Sequence, residues 1–87
     1  MSTRKIFRIS IRQVKAAREL LGWKQTDLAE ASGLSIVTIR RLEAQAGELG
    51  GREDTVAAIR AALESAGVEF TNGDAPGVRL RKGSGKQ

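Results

Sequence analysis

The sequence contains no cysteine, histidine or tyrosine, and its aromatic residues are two phenylalanines and one tryptophan. Without cysteine the chain forms no disulfide bond and no thiolate-ligated metal site, so a reducing compartment is the expected environment. Without histidine it lacks the commonest general base and the commonest metal ligand. The acidic residues are scattered along the sequence, with no spacing that brings them together. We therefore expect no enzymatic activity, no bound metal and no cofactor.

Long apolar runs are also missing. No stretch approaches the roughly 20 apolar residues that cross a bilayer, and the N-terminus lacks the apolar segment of about 7–15 residues found in signal peptides. We therefore expect a cytoplasmic, nucleoid-associated protein with no membrane partner. With 87 residues the chain has room for one domain with a small core. No sensor domain fits beside it, so we expect no small-molecule ligand.

Positive charge is concentrated at the two ends of the chain. Residues 1–18 carry six basic groups and no acid, and residues 79–87 carry four basic groups and no acid. Between them, residues 19–78 carry five basic and ten acidic groups. The net charge of +5 and the isoelectric point near 10.5 favour a polyanionic partner.

The segment 25–43, QTDLAEASGLSIVTIRRLE, predicts two short helices at 25–32 and 36–44. Ala29 is small enough for helices that cross at about 90–120°, and Gly33 supplies the positive φ of the turn between them. Ser35 is the expected N-cap of the second helix. The core side chains of this unit are Leu34, Ile39 and Leu42, and the outward ones are Ile36, Val37, Thr38, Arg40 and Arg41. That outward set is where such a unit contacts DNA.

Two more helices and a hairpin are predicted around this unit. Ser10 to Gln13 form a capping box for a helix at 11–21 that ends at Gly22, and a fourth helix is expected at 53–66 before Gly67. Alternating apolar residues and turn dipeptides predict the hairpin. The fold is therefore mainly α, with four helices and a C-terminal β-hairpin. One domain of residues 1–82 is expected, made of a basic arm 1–10, a helical core 11–66 and a hairpin 67–82, followed by a disordered tail 83–87.

Three smaller expectations concern the segments between these elements. Residues 3–9 alternate as a half-buried strand does, and we interpret them as an edge strand that pairs with the hairpin or a second subunit, the alternative being a frayed arm. Residues 44–51, rich in glycine, are expected to be a flexible connection. Trp23 is expected to fill the core between the first two helices. Lys24 stands where a capping residue belongs but cannot cap, so that helix start is either less stable or used for a phosphate contact.

Three groups of residues resemble the lambda repressor and Cro-type family of helix-turn-helix regulators. They are ARELLGW at 17–23, the spacing Q-x-x-L-A-x-x-x-G-L-S from Gln25, and T-I-R-R-L-E from Thr38. The resemblance runs from about Val14 to Leu63. It implies a sequence-specific, double-stranded DNA-binding transcriptional regulator, a repressor, which acts as a homodimer on two half-sites.

The resemblance also implies the site residues. Gln25 would donate to a DNA phosphate, and the start of the third helix would enter the major groove. Ile36 and Val37 are apolar where many members carry polar side chains, so the expected specificity moves to Arg41, one turn on. The candidate DNA-binding residues are Gln25, Ser35, Ile36, Val37, Thr38, Arg40, Arg41 and Gln45. The candidate phosphate contacts are Arg4, Lys5, Arg8, Lys24 and Arg52.

Arg18 and Glu43 form a structural ion pair in the family, and the resemblance implies the same pair here. Arg18 lies on the apolar face of its helix, so it needs a partner if it is buried. The other interpretation is two unrelated surface charges.

Two other functions compete with DNA regulation. An antitoxin-like or adaptor protein would have another protein as its main partner, and exposed Ile36 and Val37 could form the binding patch. A small enzyme would need a reactive centre, which the composition does not supply.

Overall fold

The computed structural model describes residues 9–71 and 76–81, which form four helices and an antiparallel hairpin. The elements are α1 Ile11–Leu21, α2 Gln25–Ser32, α3 Ile36–Glu43, α4 Glu53–Ser65, β1 Val68–Thr71 and β2 Gly77–Leu80. The predicted mainly helical fold with a C-terminal hairpin is confirmed. The third and fourth helices each end one residue earlier than predicted, within the usual uncertainty of a helix end. The arm before residue 9, the dipeptide Asn72-Gly73 and the tail 83–87 lie outside the described residues.

Local hydrogen bonds define both ends of α1. The Ser10 hydroxyl accepts from the backbone N–H of Gln13 at 3.1 Å, and Gln13 Oε1 accepts from the backbone N–H of Ser10 at 2.8 Å. This is the predicted capping box, which satisfies two backbone donors that the helix leaves free. At the other end Gly22 has a φ of 70°, a left-handed conformation that ends the helix.

The start of α2 is stabilised by a residue that sequence analysis overlooked. Lys24 makes no side-chain cap, because an ammonium group has no acceptor. Asp27 instead accepts from the backbone N–H of Lys24 at 2.8 Å, which is the reciprocal half of a capping box. The carboxylate also lies in the first turn, where it complements the helix dipole. The Lys24 side chain stays exposed.

The connection between α3 and α4 is anchored to the core, so the expectation of a flexible segment was wrong. Leu49 is only 1 % exposed, and its backbone N–H donates to the carbonyl of Ile9 at 3.0 Å. The backbone N–H of Ile11 donates to the carbonyl of Gly47 at 2.8 Å. The chain before α1 therefore pairs with this connection and not with the hairpin, at least from Ile9 onwards. The rest of the predicted strand lies outside the described residues.

The core is built from one face of each helix, together with the residues just before α1 and just after α4. Its buried apolar residues are Ile9, Ile11, Val14, Ala17, Leu28, Ala29, Ile39, Leu42, Leu49, Ile59, Ala62, Leu63 and Val68. The half-buried Trp23 packs on the edge of this cluster and lines a hollow between α2 and α4. It was expected between α1 and α2. Within the described part of the chain, no helix is long and apolar enough to span a membrane.

The hairpin packs on the helices of its own chain, β1 against α4 and β2 against α1. In its register Val68 faces Leu80 and Phe70 faces Val78. The 5 % exposed side chain of Gln13 on α1 donates from Nε2 to the carbonyls of Thr71 and Gly77, each at 3.0 Å. One amide thus caps α1 and holds both strands at the end of the hairpin nearest the turn.

Candidate nucleic-acid interface

The outward face of α3 is defined by the residues that the helix buries. Ile39 and Leu42 are buried, and at 100° per residue Val37 and Arg41 lie nearly opposite Ile39, one turn apart. Val37 is 67 % exposed, and Arg40 and Arg41 are exposed. Neither arginine side chain makes a hydrogen bond or ion pair with any residue in 9–71 or 76–81. Two cationic side chains and one apolar side chain on this face are therefore available to a partner.

Ile36 does not belong to this face, which corrects the sequence-based assignment. Its side chain is half-buried, packs against the core and lines a shallow hollow with Ala29 and Leu34. The reason is its spacing, since Ile36 precedes Ile39 by three residues and residues three apart share a side of a helix. The apolar part of the outward surface is therefore Val37.

The hydroxyl groups at the start of α3 are used to cap the helix. The backbone N–H of Thr38 donates to Ser35 Oγ at 3.1 Å, as expected of an N-cap. Ser35 Oγ in turn donates to Thr38 Oγ1 at 3.0 Å. The two side chains thus bind one another across the first turn, which limits what they can offer to a partner.

An ion pair connects α1 to α3 beneath this surface. Arg18 Nε donates to Glu43 Oε2 and Arg18 Nη2 donates to Glu43 Oε1, both at 2.8 Å. Arg18 Nη1 also donates to the carbonyl of Trp23 at 3.0 Å. The side chains are 14 % and 4 % exposed. The hydrogen bonds and charge of Glu43 raise the pKa of Arg18 above its usual value, although burial opposes them, so the guanidinium stays charged.

The same carboxylate orients Gln25 at the start of α2. Gln25 Nε2 donates to Glu43 Oε1 at 3.0 Å, and the Gln25 side chain is half-buried. Glu43 therefore links the last turn of α3 to the first residue of α2, and the relative placement of the two helices depends on it. One N–H of the Gln25 amide is used in this bond. The role expected for Gln25 at a DNA phosphate stays a prediction.

The other predicted contacts that the structure describes are exposed at the surface. Lys24 and Arg52 are the exposed residues immediately before α2 and α4, and Arg52 Nε lies 3.5 Å from Asp54 Oδ1. Arg4, Lys5 and Arg8 lie outside the described residues. Gln45 is exposed and lines a hollow with two basic residues at the start of α1, Arg12 and Lys15.

Arg12 and Lys15 were not among the predicted site residues, although both belong to the acid-free N-terminal charge block. Both side chains are exposed and lie beside Gln45. Exposed basic side chains are therefore found both on α3 and at the start of α1. The signal that would have found them is their position on the polar side of α1, away from Val14 and Ala17. Among the described residues, no three acidic side chains gather where they could hold a metal ion.

α2, the glycine turn with φ 78° and α3 all lie within a segment that a known family model matches. The helix-turn-helix model matches residues 14–50. Residues 14–50 of the chain are therefore similar to the helix-turn-helix domains of the lambda repressor and Cro type. No curated protein matches the chain.

The match to the helix-turn-helix family covers most of α1, all of α2 and α3, and the connection as far as residue 50. This family consists of DNA-binding regulators. The matched range contains Arg18, Glu43 and Gln25, together with the outward face of α3. α4 and the hairpin lie beyond it and complete the core of the helix-turn-helix domain from outside the matched segment.

Proposed function

We propose that the chain is a sequence-specific, double-stranded DNA-binding transcriptional regulator that reads the major groove with α3. The observation that supports this most is that Arg40 and Arg41 have no partner within the described part of the chain, on an outward face whose rotation is set by buried Ile39 and Leu42. An arginine in that state is available to a guanine edge or to a phosphate. On a net-positive chain, a polyanion is the partner that this face suits best.

The size of α3 and its flanking residues fit this proposal. An α-helix with its side chains is about 10–12 Å in diameter, and the major groove is about 12 Å wide, so the eight-residue α3 can enter it. Phosphate contacts are proposed on either side of the groove, from Gln25 and Lys24 at the start of α2, from Gln45 after α3 and from Arg52 before α4. Backbone N–H groups at the helix N-termini suit the same phosphates.

One helix of this length makes few base contacts, so we propose that a homodimer occupies two half-sites about 34–36 Å apart, one turn of DNA. A small domain that occupies an operator acts most simply as a repressor, by excluding other proteins from the same DNA. We accordingly propose that it acts in the cytoplasm, on the nucleoid.

Replacing Arg41 with alanine is expected to weaken binding to the specific site by about 1–3 kcal/mol, because a bidentate arginine–guanine contact is worth that much. Binding to random DNA should change little. The measurement uses a site selected from a random pool of duplexes, followed by titration of wild type and variant against that site and against a scrambled duplex.

The matched control is Arg79→Ala, which removes the same charge from β2, where Arg79 pairs with Glu69 at 2.7 Å. It should not relax the preference at any base position. Equal losses on specific and random DNA for Arg41→Ala would reassign Arg41 to a phosphate. A random pool from which no sequence is enriched would contradict sequence-specific binding altogether.

Removing residues 1–8 is expected to weaken binding to all DNA and to flatten its salt dependence. This segment carries Arg4, Lys5 and Arg8 and no acid. Each DNA phosphate that the truncated chain no longer neutralises should reduce the slope of log K against log salt by about 0.9. Titrations at several salt concentrations measure it, and an unchanged slope would show that the segment does not contact DNA.

A protein partner is the second candidate, in an antitoxin-like or adaptor role. The observation that favours it is the shallow hollow between α2 and α4, lined by the half-buried Trp23 and by small residues such as Ala31, Ala58 and Ala61. A partner that purifies with the chain in constant stoichiometry, and that protects Trp23 from a fluorescence quencher, would support this role. A chain that purifies without one and still binds a selected DNA site would argue against it.

A further inference from the structure

We propose that the first turn of α3 recognises the C5-methyl group of a pyrimidine through Val37. The domain would then distinguish thymine from uracil, and 5-methylcytosine from cytosine. This inference rests on the proposed function, since it requires α3 to lie in the major groove. It names a second chemical group that α3 recognises, in addition to the guanine proposed for Arg41.

The first turn of α3 has little capacity to read a base by hydrogen bonds. Ser35 Oγ accepts from the backbone N–H of Thr38 and donates to Thr38 Oγ1, so the Ser35 proton and one acceptor site of Thr38 Oγ1 already serve the cap. Ile36 packs against the core. Val37 is the side chain of this turn that stands free, at 67 % exposure.

Thymine offers the group that an apolar side chain can recognise in the major groove. The other groups that the base edges present there are hydrogen-bond donors and acceptors, whereas thymine adds a C5-methyl group. Valine in a helix keeps one strongly preferred χ1 rotamer, so its two methyl groups are held in place before contact. Val37 can therefore make an apolar contact with a methyl group. A polar base edge placed against Val37 would lose its hydrogen-bond partner, which weakens binding.

The position of Arg41 sets where that methyl group lies. Val37 and Arg41 are four residues apart on the same face, so their Cβ atoms are about 5–6 Å apart. Successive base pairs of DNA are about 3.4 Å apart along the axis. We therefore expect the methylated pyrimidine one or two base pairs from the guanine that Arg41 contacts.

The test uses the DNA site selected from a random pool and replaces each thymine in turn by deoxyuridine, which lacks only the methyl group. At one thymine near the guanine, the wild-type Kd should rise about fourfold, the effect of one buried methyl-sized group. At the same position, a duplex with 5-methylcytosine should bind about fourfold more tightly than one with cytosine. Fluorescence anisotropy of labelled duplexes measures both ratios.

Variants assign the effect to a side chain. Val37→Ala should make the thymine and deoxyuridine sites equal while the guanine preference due to Arg41 remains. The matched control is Leu20→Ala on α1, the other exposed large apolar residue among those described. It should leave the thymine to deoxyuridine ratio unchanged.

Three results would overturn the inference and leave the proposed function standing. The first is a selected site at which no thymine is sensitive to deoxyuridine, and the second is a sensitivity that survives Val37→Ala unchanged. The third is a selected site without thymine near the guanine. If no sequence is selected at all, the inference and the proposed function both fail.

Discussion

Replacing Arg18 with methionine is expected to destabilise the domain by about 3–5 kcal/mol, the usual cost of removing one partner from a buried ion pair. Glu43 is 4 % exposed and would lose the guanidinium that pairs with its carboxylate, with Gln25 as its remaining side-chain donor. Domains are stable by only about 5–15 kcal/mol, so the loss is a large fraction of the total. Urea unfolding followed by the fluorescence of Trp23, the single tryptophan, measures it.

Two further variants separate burial from charge. Arg79→Met breaks a surface ion pair of similar length, 2.7 Å with Arg79 72 % exposed, and should cost no more than about 1 kcal/mol. The double variant Arg18→Met with Glu43→Leu should recover much of the loss, because a buried pair is often replaceable by apolar residues at little net cost. A single-variant cost as small as that of Arg79→Met would contradict the structural role of the pair.

This ion pair also predicts an effect on DNA binding that is separate from folding. Glu43 holds both Arg18 and Gln25, so its loss should alter the placement of α2 against α3 even in molecules that remain folded. Specific binding by Glu43→Gln should therefore fall at temperatures where the variant is still native.

Truncation after Gly67 is expected to lower the melting temperature strongly and, if the hairpin carries the dimer contact, to turn a dimer into a monomer. The deletion removes Val68, which is fully buried and contributes about 1.5–3 kcal/mol by itself. It also removes Phe70, Val78 and Leu80, which pack against the core. Scanning calorimetry measures the stability and light scattering the mass.

A point substitution tests the same packing without removing chain. Gln13→Glu keeps the acceptor for the backbone N–H of Ser10 but loses the two donors to Thr71 and Gly77. Each of these two hydrogen bonds that is lost should cost about 0.5–1.5 kcal/mol. Ser10→Ala is the matched control, since it removes only the cap, worth about 0.5–2 kcal/mol.

A chain truncated after Gly67 that stays an equally stable dimer would assign both the stability and the interface to the helices.

Dimerisation through the hairpin remains a prediction, and the fold changes the argument for it. A two-stranded hairpin is marginal in water by itself, so its apolar residues need either the helices or a second chain to cover them. In the structure they lie on α1 and α4 of the same chain, so a partner is not required to cover them. An interface at the hairpin would have to use the exposed edge of a strand or its outward side.

How far the sequence predicts the candidate site depends on the range of each interaction. The outward placement of Val37, Arg40 and Arg41 followed from Ile39 and Leu42, because helical periodicity relates residues within two turns. Ile36 was misplaced even though it precedes Ile39 by three residues, a spacing that puts both side chains on one side of the helix. Arg12 and Lys15 came near Gln45 only through the pairing of the chain before α1 with residues 47–49.

The sequence by itself determined the elements that short-range chemistry controls. The caps at Ser10 and Ser35 and the left-handed turns at Gly22 and Gly33 each depend on residues three or four positions apart. Such contacts form within one segment and need no partner from elsewhere. They can therefore be predicted from local spacing.

Only the tertiary structure decided which distant groups meet. The Gln13 amide reaches carbonyls 58 and 64 residues away, and Leu49 enters the core from a connection with no apolar periodicity. The pairing of the Ser35 and Thr38 hydroxyls depends on side-chain rotamers that spacing does not specify. These choices depend on how the packed helices fill space and satisfy buried polar groups, which is a property of the whole chain.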